Sequence, residues 1–387
     1  MKIGYSFWGF LSDIKLDKNY NLMSTPDGNA YYSWAIISEF QKNNYDIIAI
    51  YPNRDKYAYS KYGEECFASW GKDIKNKSYL NTSYLNYPDT NLSELTENDI
   101  FMLWNKNHLY DVKFILHEWR MQIPNRNLIE EKNKDFWQPD LFLQQCLLKY
   151  CKLHNIKLLV FDLDNTITEK DISSFPTNFQ FVEIGELWQH SKHGSIHIDI
   201  PFNFDIINTF TINDNPTTNL IYVGNRYERD WCIDKYIPTN LNDVLIYGNW
   251  LEGGRNSAEK WPLLKFGKRI QQKDMFNIYN KAVCTILLAK KDYCENKIMT
   301  GRIIESILYG TIPLFICEYG EKQLNKFANK YKDLLVVHNS NEVIEKINYF
   351  KNNIDKRREV IEYLRSYLGT FMDSKYFVDR ILKGIKK

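Results

Sequence analysis

The sequence predicts an α/β protein made of two doubly wound, Rossmann-like halves facing each other across a cleft. Two observations carry this. Near the start, MKIGYS is followed by a Pro-Asp-Gly loop, an amphipathic stretch and the apolar run Asp46–Tyr51, which is the order of a βαβ unit. After the polar, proline-broken stretch TINDNPTTN (211–219) the theme returns, with LIYVG (220–224), DVLIYG (243–248), VCTILLA and the helix–strand unit Met299–Cys317. These set the expected domains at 1–212, with a polar insertion at 53–97, and 218–387, ending in a charged amphipathic helical tail that packs back toward the first domain.

In the first half, MKIGYSFWGFL reads as a strand running into a glycine turn at Gly9. STPDGNAYYSWAIISEFQK gives a loop holding Asp27 and then a helix from about Asn29 to Lys42. Order returns after the insertion with DIFMLW (99–104) and VKFILHEWR (112–120), both strand-like, so Glu118 and Arg120 fall at a strand end. A helix near Asp140–Asn155 leads to the strand KLLVFDLDNT, ending at Asp162 and Asp164, and IHIDIPFNFD (196–205) closes the domain. Ligands of such sheets sit at the carboxyl ends of the strands, which is where these carboxylates lie.

Composition narrows the class. A 44% hydrophobic, 25% charged chain of net charge +2 is ordinary for a water-soluble fold and argues neither for nor against nucleic acid. The seven cysteines are odd in number and include no CxxC pair, which fits a reduced cytoplasmic protein better than a disulfide or zinc scaffold. No apolar run approaches membrane-spanning length, and the start lacks a signal-peptide pattern. There is no GxGxxG, so no dinucleotide cofactor is indicated.

The unit MTGRIIESILYGTIPLFIC organises the second half. Thr300 can cap a helix whose Ile303, Ile304, Ile307 and Leu308 share a face, Gly310 ends it, and Pro313 prevents its resumption. Arg302 and Glu305 project together from the helix start, where free N–H groups and the positive dipole end favour phosphate. Arg302 can donate two hydrogen bonds to a phosphate, and Glu305 can accept from a ribose diol. VGNRYER places Arg226 and Arg229 just past a strand, beyond Gly224. Three arginines and a helix start could neutralise a diphosphate without a metal. Surface ion pairs are the plain alternative for each of these charges.

LIYVGNRYER and MFNIYNKAVCTILLAKKDYCENKIMTGRIIESILYGTIPLFI, with the Arg-x-x-Glu spacing, resemble the phage DNA β-glucosyltransferases. The first half matches more thinly, through MKI with Gly9 and TPDGNAYYSWAIISEF. That family has the GT-B fold and moves glucose from UDP-glucose to hydroxymethylated cytosine in duplex DNA. The resemblance implies that Arg226, Arg229 and Arg302 bind the diphosphate and Glu305 the ribose, with Gly9, Gly224 and Thr300 beside the donor. It also implies a base at the end of a first-domain strand, Asp162 or Asp164, with Glu118 a further candidate. Arg120, Asp27 and Asn29 are then the acceptor contacts. A base-flipping enzyme on modified duplex DNA follows, monomeric, needing no cofactor beyond the UDP-sugar, with Mg2+ or Mn2+ as a helper near the carboxylates. If phage-encoded, it would work in the infected host's cytoplasm.

Other readings of these residues exist. DLDNT also has the Asp-x-Asp-x-Thr pattern of haloacid-dehalogenase-type phosphatases, but the chain contains no downstream Asp-Asp or Gly-Asp pair. The same donor half could serve a nucleotide, small-molecule or glycan acceptor. His190, His193 and His197 lack metal-ligand spacing, since Gly194 interrupts any helix there, and read as a polar surface loop.

Overall fold

The computed structural model describes residues 1–6, 15–16, 22–24, 28–50, 82–85, 94–119, 139–162, 166–184, 195–198, 201–202, 210–251, 257–270, 272–295, 298, 300–370 and 372–385. Gly9, Asp27, Arg120, Asp164, His190 and His193 lie outside these residues, as does most of 53–97.

The first half supplies β1 (Lys2–Ser6), β2 (Lys15–Leu16), β3 (Leu22–Ser24), α1 (Gly28–Lys42), β4 (Asp46–Ala49), β5 (Thr82–Tyr84), α2 (Glu97–Lys106), β6 (Ile115–Glu118), α3 (Pro139–His154), β7 (Leu158–Asp162), α4 (Glu169–Ile172), β8 (Phe179–Ile184) and β9 (Ile196–Ile198). Among the described residues its main sheet runs β5-β4-β1-β6-β7-β8-β9 with every neighbour parallel. The order reverses between β1 and β6, which opens a crevice at the carboxyl ends of those strands.

The second half supplies β10 (Thr218–Val223), α5 (Asp230–Tyr236), β11 (Val244–Tyr247), α6 (Ser257–Lys260), β12 (Lys265–Gly267), α7 (Gln272–Tyr279), β13 (Ala282–Leu287), α8 (Lys291–Glu295), α9 (Gly301–Leu308), β14 (Ile312–Ile316), α10 (Cys317–Phe327), α11 (Lys332–Leu335), β15 (Val336–Val337), α12 (Ser340–Asn352), α13 (Ile354–Gly369) and α14 (Ser374–Ile385). Its sheet, β12-β11-β10-β13-β14-β15, is parallel throughout among the described residues and reverses between β10 and β13. The fold is GT-B, as the sequence predicts, and contacts among the described residues join the halves. Strand β3 reaches α7, and α14 returns to pack on α1 and β9, where Phe377 meets Phe161 edge-on at 5.5 Å. The tail is pinned as Phe202 N–H donates to Met372 O and Ser374 N–H to Phe202 O.

The structure corrects several expected elements. The stretch 99–104 is helical, within α2. Thr96 and Asp99 form a reciprocal capping box, and Ile100 and Trp104, four apart, carry the buried face. Apolar density there has a helical, not an alternating, period. LLVVH is strand only at Val336–Val337, after the short helix α11. Strand β8 and helix α10 have no counterpart in the sequence reading. IHIDIPFNFD is strand only over Ile196–Ile198 among its described residues. Pro313 sits inside β14, beside Thr285 of β13, and is tolerated because β15 pairs only with Phe315 and Ile316, leaving the stretch around Pro313 unpaired on that side.

Candidate active site

Helix α9 is held as a rigid peg. Its end is a Schellman motif: Gly310 has φ +82°, its N–H donates to Ile307 O, and Thr311 N–H donates to Ser306 O. Arg365 of α13 completes the cap, with Nε donating to Ile307 O at 3.1 Å and a terminal N–H to Leu308 O at 2.5 Å. The last carbonyls are thus satisfied, and the opposite end carries the positive end of the helix dipole. Thr300 holds the N-cap position with extended backbone, as expected, but its side chain makes no capping hydrogen bond. Instead its N–H donates to Tyr319 Oη at 3.1 Å. Tyr319 Oη in turn donates to Ile298 O, so the helix entry is fixed by a tyrosine that sequence reading did not identify.

Arg302 and Glu305 form a direct ion pair, and the pair is not a surface one. The Glu305 side chain is 5% exposed and the Arg302 side chain 36%. Burial pushes the Glu305 carboxyl up while the Arg302 guanidinium pulls it down, and burial wins. Tyr279 of α7 lies close by, its buried hydroxyl without a hydrogen-bond partner among the described residues.

The β10 end shows two different arginines. Arg226 is braced: Nε and a terminal N–H donate to Asp230 at 2.8 and 2.6 Å, another N–H reaches Ser257 Oγ at 3.2 Å, and its guanidinium stacks on Trp261 at 5.2 Å. Lys260 shares the same Asp230 carboxylate. Arg229 instead donates to the Leu288, Tyr227 and Asn225 carbonyls, tying the β10 loop to the end of β13 across the sheet's reversal point. Gly224 is required by packing, since a Cβ there would lie 2.3 Å from Tyr222 Oη. That buried hydroxyl, raised by desolvation, feels the charges of both Arg229 and Arg302, which brings these two predicted residues to one place.

In the first half, Glu118 and Asp162 end adjacent strands, with Glu118 opposite Phe161. Glu118 lies at the β1–β6 reversal and accepts from Tyr5 Oη at 2.5 Å. Asp162 turns toward its own loop, accepting from Ile167 N–H at 2.9 Å and Thr166 Oγ1 at 3.4 Å. Asn29 falls in the first turn of α1, its side chain outside the description. His197 stands on β9, opposite Glu183. Among the described residues no group of three His, Cys, Asp or Glu is placed to hold a metal, and no helix is long and apolar enough to cross a membrane.

Residues 229–368 match the family described as glycosyl transferase-like. No curated protein matches the chain in sequence. Among solved structures, the T4 phage β-glucosyltransferase, in complex with UDP and Mn2+, is similar at 15% identity with a TM-score of 0.58, covering all of both chains. Anabaena HepE with UDP-glucose is similar at 10% identity and 0.55, covering 100% of this chain and 99% of that one. The sucrose-phosphate synthase of Thermosynechococcus elongatus stands at 10% and 0.57 over the same shares. At these identities the likeness establishes the GT-B fold, and with the family match it supports a transferase enzyme.

Proposed function

We propose that the chain is an inverting glycosyltransferase that moves glucose from UDP-glucose to the hydroxymethyl group of a modified pyrimidine in phage DNA. The observation that carries this is the end-to-end similarity to the phage enzyme together with the placement of Arg229, Arg302 and Glu305 about the β10–β13 reversal. Residues 218–387 form the donor domain and 1–212 the acceptor domain.

In the proposed reaction a carboxylate at the first-domain strand ends takes the acceptor's hydroxyl proton. The oxygen attacks the anomeric carbon as its bond to the diphosphate oxygen breaks, and the electron pair leaves with UDP. One displacement inverts the carbon. Arg302, Arg229 and the α9 amides meet the leaving charge, with Arg226 bracing the loop that carries Arg229. Glu305, released as Arg302 turns to phosphate, accepts from the ribose. Asp162 or Asp164 is the base, with Glu118 the neighbouring carboxylate. A divalent ion, as a helper, would be held near the Asp162 and Asp164 carboxylates.

The second reading keeps the donor half and changes the acceptor, and the comparable scores of HepE and the sucrose-phosphate synthase favour it. The family match and the two-sheet fold favour either over a phosphatase built on DLDNT. The deciding experiment offers UDP-sugars with hydroxymethylcytosine DNA, hydroxymethyluracil DNA, unmodified DNA and free nucleosides, read by mass of the digested nucleosides. A hexose gain on one modified base, in DNA only, is expected. UDP release without any DNA product moves the acceptor elsewhere. In Asp162→Asn, Asp164→Asn and Glu118→Gln, the base is the variant that loses roughly 100- to 10,000-fold in turnover while UDP still binds.

A further inference from the structure

Among the described residues, one anomalous buried group is a carboxylate that the mechanism above does not use. Glu183 on β8 is 1% exposed, and neither of its oxygens meets a hydrogen-bond donor among the described residues. No lysine or arginine forms an ion pair with it there. Its neighbour across the sheet is Asp162, directly in register on the parallel strand β7. Side chains repeat every second residue along a strand. Asp162 therefore shares the face of Leu158 and Val160, and Glu183 that of Phe179 and Phe181; Leu158, Val160 and Phe181 belong to one core cluster, and Phe179, partly buried, packs against it. The two carboxylates thus stand side by side at the carboxyl edge of the sheet, over the same apolar floor.

We propose that Glu183 and Asp162 act as one coupled carboxylate pair, in which Glu183 is the positioning residue that sets how readily the strand-end carboxylate accepts the acceptor's proton. The inference rests on the reading of Asp162 as the base.

The physics of the pair is asymmetric. Asp162 is stabilised in its charged form by the Ile167 N–H and the Thr166 hydroxyl. Glu183 has only the Ser195 side chain to oppose its burial, and a buried carboxylate so weakly served keeps its proton. Burial pushes it up to about 6, the Ser195 side chain holds it back, and the Asp162 charge pushes it further. Two carboxylates this close lose their protons in two linked steps that belong to the pair. Below the upper step the pair retains one proton. Above it the pair is doubly negative, and the Asp162 end becomes a stronger base than an isolated aspartate. That is the property a base needs to deprotonate a hydroxymethyl group near neutral pH. Among the described residues, titratable positions on the flanking strands are His197, in register on β9, and His117 on β6, whose Nε2 lies 2.8 Å from Gln144 Oε1 of α3.

The test measures kcat/KM against pH for wild type, E183Q, E183D and D162N, alongside carboxyl NMR titration of the 13C-labelled full chain. Wild type is expected to lose activity on the acid side with a midpoint near 6, matching a glutamate resonance that titrates there. In E183Q the midpoint falls by about one unit or more toward the ordinary aspartate range. The plateau drops roughly 3- to 10-fold, as a weaker base requires, and UDP affinity stays unchanged. E183D, which keeps a carboxylate, retains an acid midpoint above that of E183Q. In D162N the Glu183 resonance moves down. An acid limb that E183Q leaves in place, while D162N is inactive, overturns the pair and spares the base. Full turnover in D162N overturns the base reading and this role with it. If E183Q does not fold, a wild-type Glu183 resonance titrating at an ordinary glutamate value overturns the pair by itself.

Discussion

The two crevices of this molecule treat charge in opposite ways. Around the β10–β13 reversal, carboxylates are met by cationic side chains: Glu305 by Arg302, Asp230 by Arg226 and Lys260. At the β6–β8 strand ends, Glu118 accepts from the Tyr5 hydroxyl and Asp162 from a hydroxyl and a backbone N–H, while Glu183 has only the Ser195 side chain to oppose its burial. A buried ion pair holds a cation ready and can exchange its anionic partner for a phosphate of like charge. A buried carboxylate without a cation holds a proton affinity above the ordinary. On the proposed reading, the second half is therefore arranged to exchange anions, and Glu183 in the first half to hold a proton. Each can be attacked separately.

The largest effect should come from cutting the exchangeable pair. Arg302→Ala removes both a phosphate donor and the charge facing Glu305. Losing a charged hydrogen bond of about 2 to 3 kcal/mol corresponds to UDP binding weaker by roughly 30- to 150-fold, measured by calorimetry. The abandoned Glu305 carboxyl, already raised by burial, should rise further and lower the melting temperature at pH 8 more than at pH 5. Unchanged UDP affinity would remove Arg302 from the donor site and leave the pair as a structural brace.

Next in size is a residue that touches no ligand. Arg365 reaches from α13 to the last carbonyls of α9, and Arg365→Ala strips two hydrogen bonds from a buried helix end. About 2 kcal/mol of stability should be lost in denaturant titration. UDP affinity should fall only a few-fold, because the N-terminal amides remain. A loss of binding as large as that of Arg302→Ala would show that α9 must be pinned at both ends to present them.

How much of this was readable beforehand follows the same division. The α9 unit announces itself locally: Thr300, the Ile303–Leu308 face, Gly310 and Pro313 are short-range signals, and the structure departs only in the partner that Thr300 finds. The two sheets were legible from strand spacing, and the returning tail from the GT-B architecture that the resemblance implies. Helix α2 was misread because IFMLW is apolar enough for either period, and the deciding signal was the Thr96–Asp99 box rather than the apolar run. Arg226 and Arg229 look alike in VGNRYER, yet only Arg226 finds a carboxylate, Asp230, among the described residues. Glu183 was invisible because its meaning lies in a neighbour 21 positions earlier in the chain, brought beside it by β-pairing. Tyr319 at the α9 entry was hidden for the same reason.

The smallest effect separates the two crevices without any substrate. Glu183 is raised from 4.5 to about 6 on folding, so between these values the folded chain binds more protons than the unfolded one. Stability then falls as pH rises through that window, and below 4.5 the group contributes no slope. A paired carboxylate such as Glu318, held down at about 2 by Lys235 and Tyr236 against its own burial, has the opposite sign and loses its contribution as pH drops through the range below 4.5. Glu183→Gln cannot titrate. Its stability relative to wild type should therefore rise by about 1 to 2 kcal/mol between pH 4.5 and pH 7, read as the difference between two urea titrations. A difference that stays flat across the window would mean that Glu183 finds a donor in the folded chain. The first half would then hold its carboxylates no differently from the second.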